Sequence, residues 1–124
     1  MIRLDTHVVV WLYTGQLERL SELATESLER EDLVFSPTVE LELTYLHEIG
    51  RLTVSGTQLI ADLRARIGLV ASGVPLIAVV AAAAPLSWTR DPFDRLIVGD
   101  ALAANGPLLT KDDSIRRNCA LARW

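Results

Sequence analysis

Four apolar runs, each too short to make a helix, alternate along this chain with longer segments whose apolar residues recur every three or four positions. Ile2 to Asp5, Asp32 to Phe35, Leu69 to Ala71 and Leu108 to Thr110 are the short runs. Runs of three or four residues read as buried strands, and the longer periodic segments read as helices. Strands that are always separated by helix cannot be joined by hairpins and must lie parallel. The pattern therefore predicts an α/β fold with a short central parallel sheet flanked by helices on both faces. Ala120 to Trp124 is expected to add an edge strand.

The helix limits follow from local chemistry. Thr6-His7 starts a helix through Leu12 that Gly15 stops, although its β-branched residues would also suit a strand. A second helix is expected over Ser21 to Arg30, with Leu20, Leu23, Ala24 and Leu28 facing the core. Ser36-Pro37 supplies a cap and a proline at the first helical position for a helix reaching Ile49 and ending at Gly50. Gln58 to Ile67 carries Leu59, Ile60, Leu63 and Ile67 at helical spacing, and Leu76 to Ala84 reads as a small-residue helix closed by Pro85. Asp91-Pro92 opens the last long helix, which Gly106-Pro107 ends.

A length of 124 residues suits one domain, residues 1–124, able to bury a core without disulfides. The lone Cys119 fits a reducing cytoplasm, and no signal peptide is expected, because Asp5 interrupts the apolar start. No charge falls between Arg66 and Arg90, but Gly68, Gly73, Pro75 and Pro85 break that span. A buried strand, a turn and a buried alanine-rich helix account for it better than a membrane crossing. The net charge of −4 argues against a module that coats nucleic acid by bulk charge. It argues less against an enzyme whose surplus carboxylates hold cations.

Four carboxylates stand where a merely solvated acid would not. Glu42 lies among Val39, Leu43 and Leu46 on a helical stripe, whereas Glu40, His47 and Glu48 fall on the opposite side. Asp94 precedes Ile97, Val98 and Ala101 at i+3, i+4 and i+7. Asp5 and Asp112 each follow a short strand, at the sheet edge where open α/β folds gather their sites. Each position has a plain alternative. Glu42 could snorkel from the edge of its stripe, Asp94 could belong to a capping arrangement with Asp91, and Asp5 and Asp112 could be helix caps. Asp113 competes with Asp112. Four acids converging on one cavity would need a shared divalent cation, which joins all four observations.

The remaining candidates are weaker. Two histidines and one cysteine do not make a zinc site, and there is no glycine-rich phosphate loop and no nucleophile elbow. Arg90 and Arg95 flank the Asp94 turn, where they could contact phosphate or pair with Asp91. Trp11, Trp88 and Trp124 suit a core or an interface, and Trp11-Leu12-Tyr13 suits a partner surface or core packing.

Taken in order, the motifs are recognisable. Leu4-Asp5-Thr6-His7 resembles the opening of PIN-domain proteins, particularly the VapC-type toxins of bacterial toxin–antitoxin pairs. Ser36 to Leu52, with Glu42 six residues after the serine, is similar to that family's second motif. Asp91-Pro92-Phe93-Asp94-Arg95-Leu96-Ile97 resembles the third, and Leu109-Thr110-Lys111-Asp112 the fourth. The resemblance spans essentially the whole chain and implies a three-layer PIN-like domain. It further implies an endoribonuclease dependent on Mg²⁺ (or Mn²⁺), with Asp5 and Asp94 as the direct ligands and Glu42 and Asp112 acting through water or on a second ion. Thr110 and Thr6 would support the site, as would Arg95. A homodimer and a cognate antitoxin docking near the acids are implied as well. Asp100 departs from the family pattern, since an uncharged residue or His is usual there. A PIN nuclease of RNA maturation and a catalytically silent interaction module are the competing readings.

Overall fold

A computed structural model describes all 124 residues. Five strands form one fully parallel sheet in the order β3-β2-β1-β4-β5: β1 (Ile2–Leu4), β2 (Leu33–Phe35), β3 (Val70–Ala71), β4 (Leu108–Leu109) and β5 (Ala122–Arg123). Every residue of β1, β2 and β4 is buried, so both faces of the sheet centre are covered, as a parallel sheet requires. The result is a three-layer α/β domain with a short central sheet.

Seven helices cover the sheet: α1 (Thr6–Thr14), α2 (Glu22–Arg30), α3 (Pro37–Glu48), α4 (Gly56–Ile67), α5 (Leu76–Ala83), α6 (Pro92–Ala104) and α7 (Asp113–Asn118). Most start where an oxygen-bearing side chain can satisfy an orphan backbone N–H. Asp5, Ser21, Ser36, Ser55, Asp91 and Asp112 each accept such a bond. Gly15 and Gly68 close α1 and α4 in the left-handed conformation that favours glycine.

The ambiguous β-branched segment after Asp5 is helical, with Val8 and Val9 fully buried in the single core cluster. Three expectations are corrected. Leu23 and Ile67, read as core positions, are exposed. Helix α5 is not a buried alanine-rich helix: only Val79 and Ala83 are buried, while Leu76 and Ile77 are 68% and 82% exposed. Helix α7 was not legible in the sequence, because its six residues bury only Ile115. No helix is long and apolar enough to cross a membrane.

Helix α5 packs closely on α6 because Gly99 has no side chain. A Cβ there would stand 2.7 Å from the Val79 carbonyl oxygen and 2.9 Å from the Ala83 Cβ. The strand order also fixes where a site can form. The chain works outward from β1 through β2 to β3, then crosses to β4 and β5. The switch point therefore lies outside the carboxyl ends of β1 and β4.

Candidate metal centre

Asp5 and Asp112 stand at that switch point, one after β1 and one three residues after β4. Asp5 is 3% exposed. One of its oxygens accepts the Thr6 backbone N–H at 2.8 Å, and the other accepts the Thr110 hydroxyl at 2.6 Å. Thr110 also accepts the Asp112 N–H at 3.1 Å, so a single buried hydroxyl ties the two strand ends together. Asp112 in turn caps α7 through the Ile115 N–H at 2.9 Å. Asp5 and Asp112 thus are helix caps and also members of one acidic group. Neighbouring Asp113 points outward and lies 3.8 Å from Arg116.

Glu42 reaches the same place from α3. Its Oε1 accepts the Thr6 hydroxyl at 2.5 Å. Thr6 therefore serves Asp5 through its backbone and Glu42 through its side chain, which is a wider role than support of Asp5 alone. Asp94 arrives from the first turn of α6. The cap of that helix is Asp91, which accepts the N–H groups of Phe93 and Asp94 at 2.8 and 3.3 Å. The Asp94 carboxylate is left without that duty.

The electrostatics join these acids. Burial pushes Asp5 above its usual range, and Asp112 adds to the rise, while Thr110, His7 and the Thr6 N–H oppose it. Burial also raises Glu42, with Asp5 and Asp91 adding repulsion against the Thr6 hydrogen bond and His7. Asp94 is pushed up to about 7, first by burial and then by Asp91, Asp5, Asp112 and Glu42, with no hydrogen bond to counter them. The four predicted acids thus fall in one electrostatic neighbourhood. Asp91, which the sequence presents as a cap or a partner of Arg90 and Arg95, and His7, which it presents only as too little for a zinc site, both act on the group. The signal for His7 was available, since it follows Asp5 by two residues.

No three acidic, histidine or cysteine side chains converge closely enough to ligate one ion as they stand. The carboxylates sense one another as charges and do not form a ready-made cage. Their chemistry nevertheless fits a hard divalent cation: the donors are all oxygen, three of the acids are disfavoured in their charged form, and Asp94 has no internal donor.

Arg95 is not brought to the acids. Its guanidinium reaches the Ala83 and Ala84 carbonyls at 3.5 and 2.8 Å, because the carboxyl end of α5 leaves acceptors that need donors. Arg90 likewise donates to the Ser87 carbonyl. Asp100 neither joins the site nor meets solvent. It is 1% exposed and accepts the Arg3 Nε at 2.5 Å in a buried ion pair, and its second oxygen has no partner.

Comparison with known proteins agrees with this fold and topology. The family profile described as "PIN domain" matches residues 2–121. Ribonuclease VapC22 of Mycobacterium tuberculosis is 32% identical over 121 residues, covering 93% of this chain and 89% of its own length. Among solved structures, the crystal structure of VapBC2 from Rickettsia felis bound to a DNA fragment from their promoter matches with a TM-score of 0.64. The match covers 99% of this chain and 98% of that one, at 18% identity, and so bears on the fold alone.

Proposed function

The chain belongs to the PIN domain family, and from that premise we propose that it is a divalent-metal-dependent endoribonuclease, the toxin of a cytoplasmic toxin–antitoxin pair. The observation that carries the proposal is the charge imbalance at the switch point. Carboxylates from β1, α3, α6 and the β4–α7 junction oppose one another, and Asp94 is held near pKa 7 with no donor. The similarity to a protein named as a ribonuclease supplies the reaction class.

Asp5 and Asp94 would hold Mg²⁺ or Mn²⁺ directly, with Glu42 and Asp112 acting through water or on a second ion. The bound cation would supply Lewis acidity to a phosphodiester and to an attacking water. Thr110 fixes the Asp5 oxygen, and Thr6 fixes Glu42, so that rotation of either carboxylate is restricted. Without the cation, these acids repel an RNA backbone, so substrate binding and metal binding are coupled.

Purified protein free of any partner, given Mg²⁺ or Mn²⁺, should cleave members of a panel of structured RNAs. Asp5→Asn and Asp94→Asn should each abolish cleavage, and cleavage that survives both substitutions would refute the assignment. A homodimer and an antitoxin belong to the same proposal. The apolar residues Leu76, Ile77 and Val80 of α5, Leu41 and Tyr45 of α3, and Ile49 just past its end are exposed and supply unpartnered surface for them. Light scattering should find a dimer that Ile77→Asp converts to monomer; a monomeric parent protein would remove that part of the reading.

A further inference from the structure

Beside the acidic group lies a run of surface of opposite sign. A cavity of about 380 Å³ is lined by His7, Trp11, Arg19, Lys111, Asp112 and Asp113. A second, of about 520 Å³, shares Asp113 and continues past Arg116, Arg117, Arg123 and Trp124. Five of the chain's 12 basic residues line the two, against two acids. The trough therefore has a local excess of three positive charges on a chain whose net charge is −4.

The cations nearest the acids are held in position by an aromatic ring. The Arg19 guanidinium lies 5.6 Å and the Lys111 ammonium 5.9 Å from the centre of Trp11. Arg19 is further fixed by the Gln16 side chain at 2.7 Å. His7 and Trp124 flank Trp11, each with ring centres 6.0 Å away. Arg116 is partly engaged by Asp113, and Arg123 by backbone carbonyls, whereas Lys111 and Arg117 are exposed.

We infer that this trough is the track along which a single-stranded segment of RNA lies as it approaches the acids. Its phosphates would rest on Arg19, Lys111 and Arg117, with bases against Trp11 and Trp124. The inference deepens the nuclease reading and rests on it for the identity of the polymer. Three features favour RNA over an acidic peptide. The trough begins at Asp112, within the acidic group itself. Its cations fall in two successive groups, Arg19 and Lys111 about Trp11 in one cavity and Arg116, Arg117 and Arg123 in the next. Aromatic rings are interleaved with them, as unstacked bases require.

The trough also answers a difficulty of the site. A cluster of carboxylates repels the phosphate on either side of the one being cut. A neighbouring band of fixed positive charge offsets that repulsion at the flank, where no metal would sit.

The test is fluorescence anisotropy of a labelled single-stranded RNA of mixed sequence on wild-type protein in chelator, so that no cutting occurs and the metal-free acids weaken wild type and variants alike. Each single-strand phosphate contact contributes about 0.7 to the slope of log affinity against log salt, hence roughly fivefold in affinity at about 0.1 M salt. The triple variant Arg19→Ala, Lys111→Ala, Arg117→Ala should bind roughly a hundredfold weaker, with a slope smaller by about 2. Trp11→Leu, which keeps all three charges, should bind roughly tenfold weaker. Arg30→Ala, Arg51→Ala, Arg64→Ala removes the same charge from outside both cavities and should bind within about threefold of wild type. Equal losses in the two triple variants, or no loss in the first, would overturn the track. Poly-glutamate of matched charge binding as tightly as RNA, with the same dependence on the three residues, would overturn it in favour of an acidic peptide. Cleavage with Mg²⁺ or Mn²⁺ is scored separately. Trough-dependent RNA binding without any cleavage would sink the nuclease reading and keep the track. Cleavage with KM unmoved in the trough variant would do the reverse.

Discussion

Removing the charge of Asp94 should stabilise the metal-free protein. The carboxyl rises from its ordinary value of 3.8 to about 7, so ionising it in the folded state costs more than in the unfolded chain. Below about pH 4 the group is protonated in both states and has no effect. Between about pH 4 and 7 the folded state binds the additional proton, and stability falls as pH rises. Above about pH 7 the full penalty is present. A shift of about three units corresponds to ~4 kcal/mol. Asp94 is only half-buried, and solvent and salt screening reduce that to roughly 1–2 kcal/mol. Asp94→Asn removes the penalty, so at pH 8 it should melt roughly 4–8 °C higher than wild type without metal, and at pH 4 no higher. Scanning calorimetry in chelator at the two pH values is the assay. Saturating Mg²⁺ should then raise the wild type and leave the variant little changed, since a ligand stabilises only the form that binds it. A variant less stable than wild type at pH 8, or equally stabilised at both pH values, would mean that Asp94 is well compensated within the chain. The acidic group would then need no cation to offset Asp94.

Two other substitutions test the frame around the site. Arg3→Met leaves the Asp100 charge buried without its partner and should cost about 3–5 kcal/mol in urea unfolding, whereas Arg3→Met with Asp100→Leu should recover most of the loss. Gly99→Ala drives a methyl group into the Val79 carbonyl and Ala83, and should destabilise by roughly 1–3 kcal/mol in the same experiment.

The sequence revealed most where the physics is local. Ser21, Ser36 and Asp91 were legible as helix starts because a cap is a contact between residues two or three apart. Strands β2 and β4 were legible because both of their faces are buried, which leaves an unbroken apolar run with no alternation to misread; β1 departs from that only at Arg3. Leu23, Ile67 and the outer face of α5 were misjudged for a common reason. Periodicity says which residues share a face but not whether another element covers it. Arg95 failed similarly: its sequence neighbours are acids, but its spatial neighbours are the end carbonyls of α5.

The contrast between Asp100 and the acidic group depends on contacts that no spacing rule supplies. Arg3 and Asp100 are 97 positions apart, so nothing local in the sequence links them. Together they form a buried pair, in which Arg3 is the one buried basic side chain of the protein. Arg3 precedes Asp5 by two residues of extended backbone, so its guanidinium could have served the strand-end acid. It turns instead to Asp100 and does not figure among the charges acting on Asp5. Arg95, one residue from Asp94, is likewise occupied by α5. Two cations well placed by sequence to neutralise the group are thus both engaged elsewhere. What remains is hydroxyl and backbone donors on Asp5, one hydroxyl on Glu42, the charge of His7 acting on both, and nothing on Asp94. A site built only for stability would have used Arg3 or Arg95 on these acids. Keeping both away leaves a deficit of positive charge that protonation of Asp94 relieves below about pH 7 and that a divalent cation would relieve above it, as the proposed nuclease activity requires.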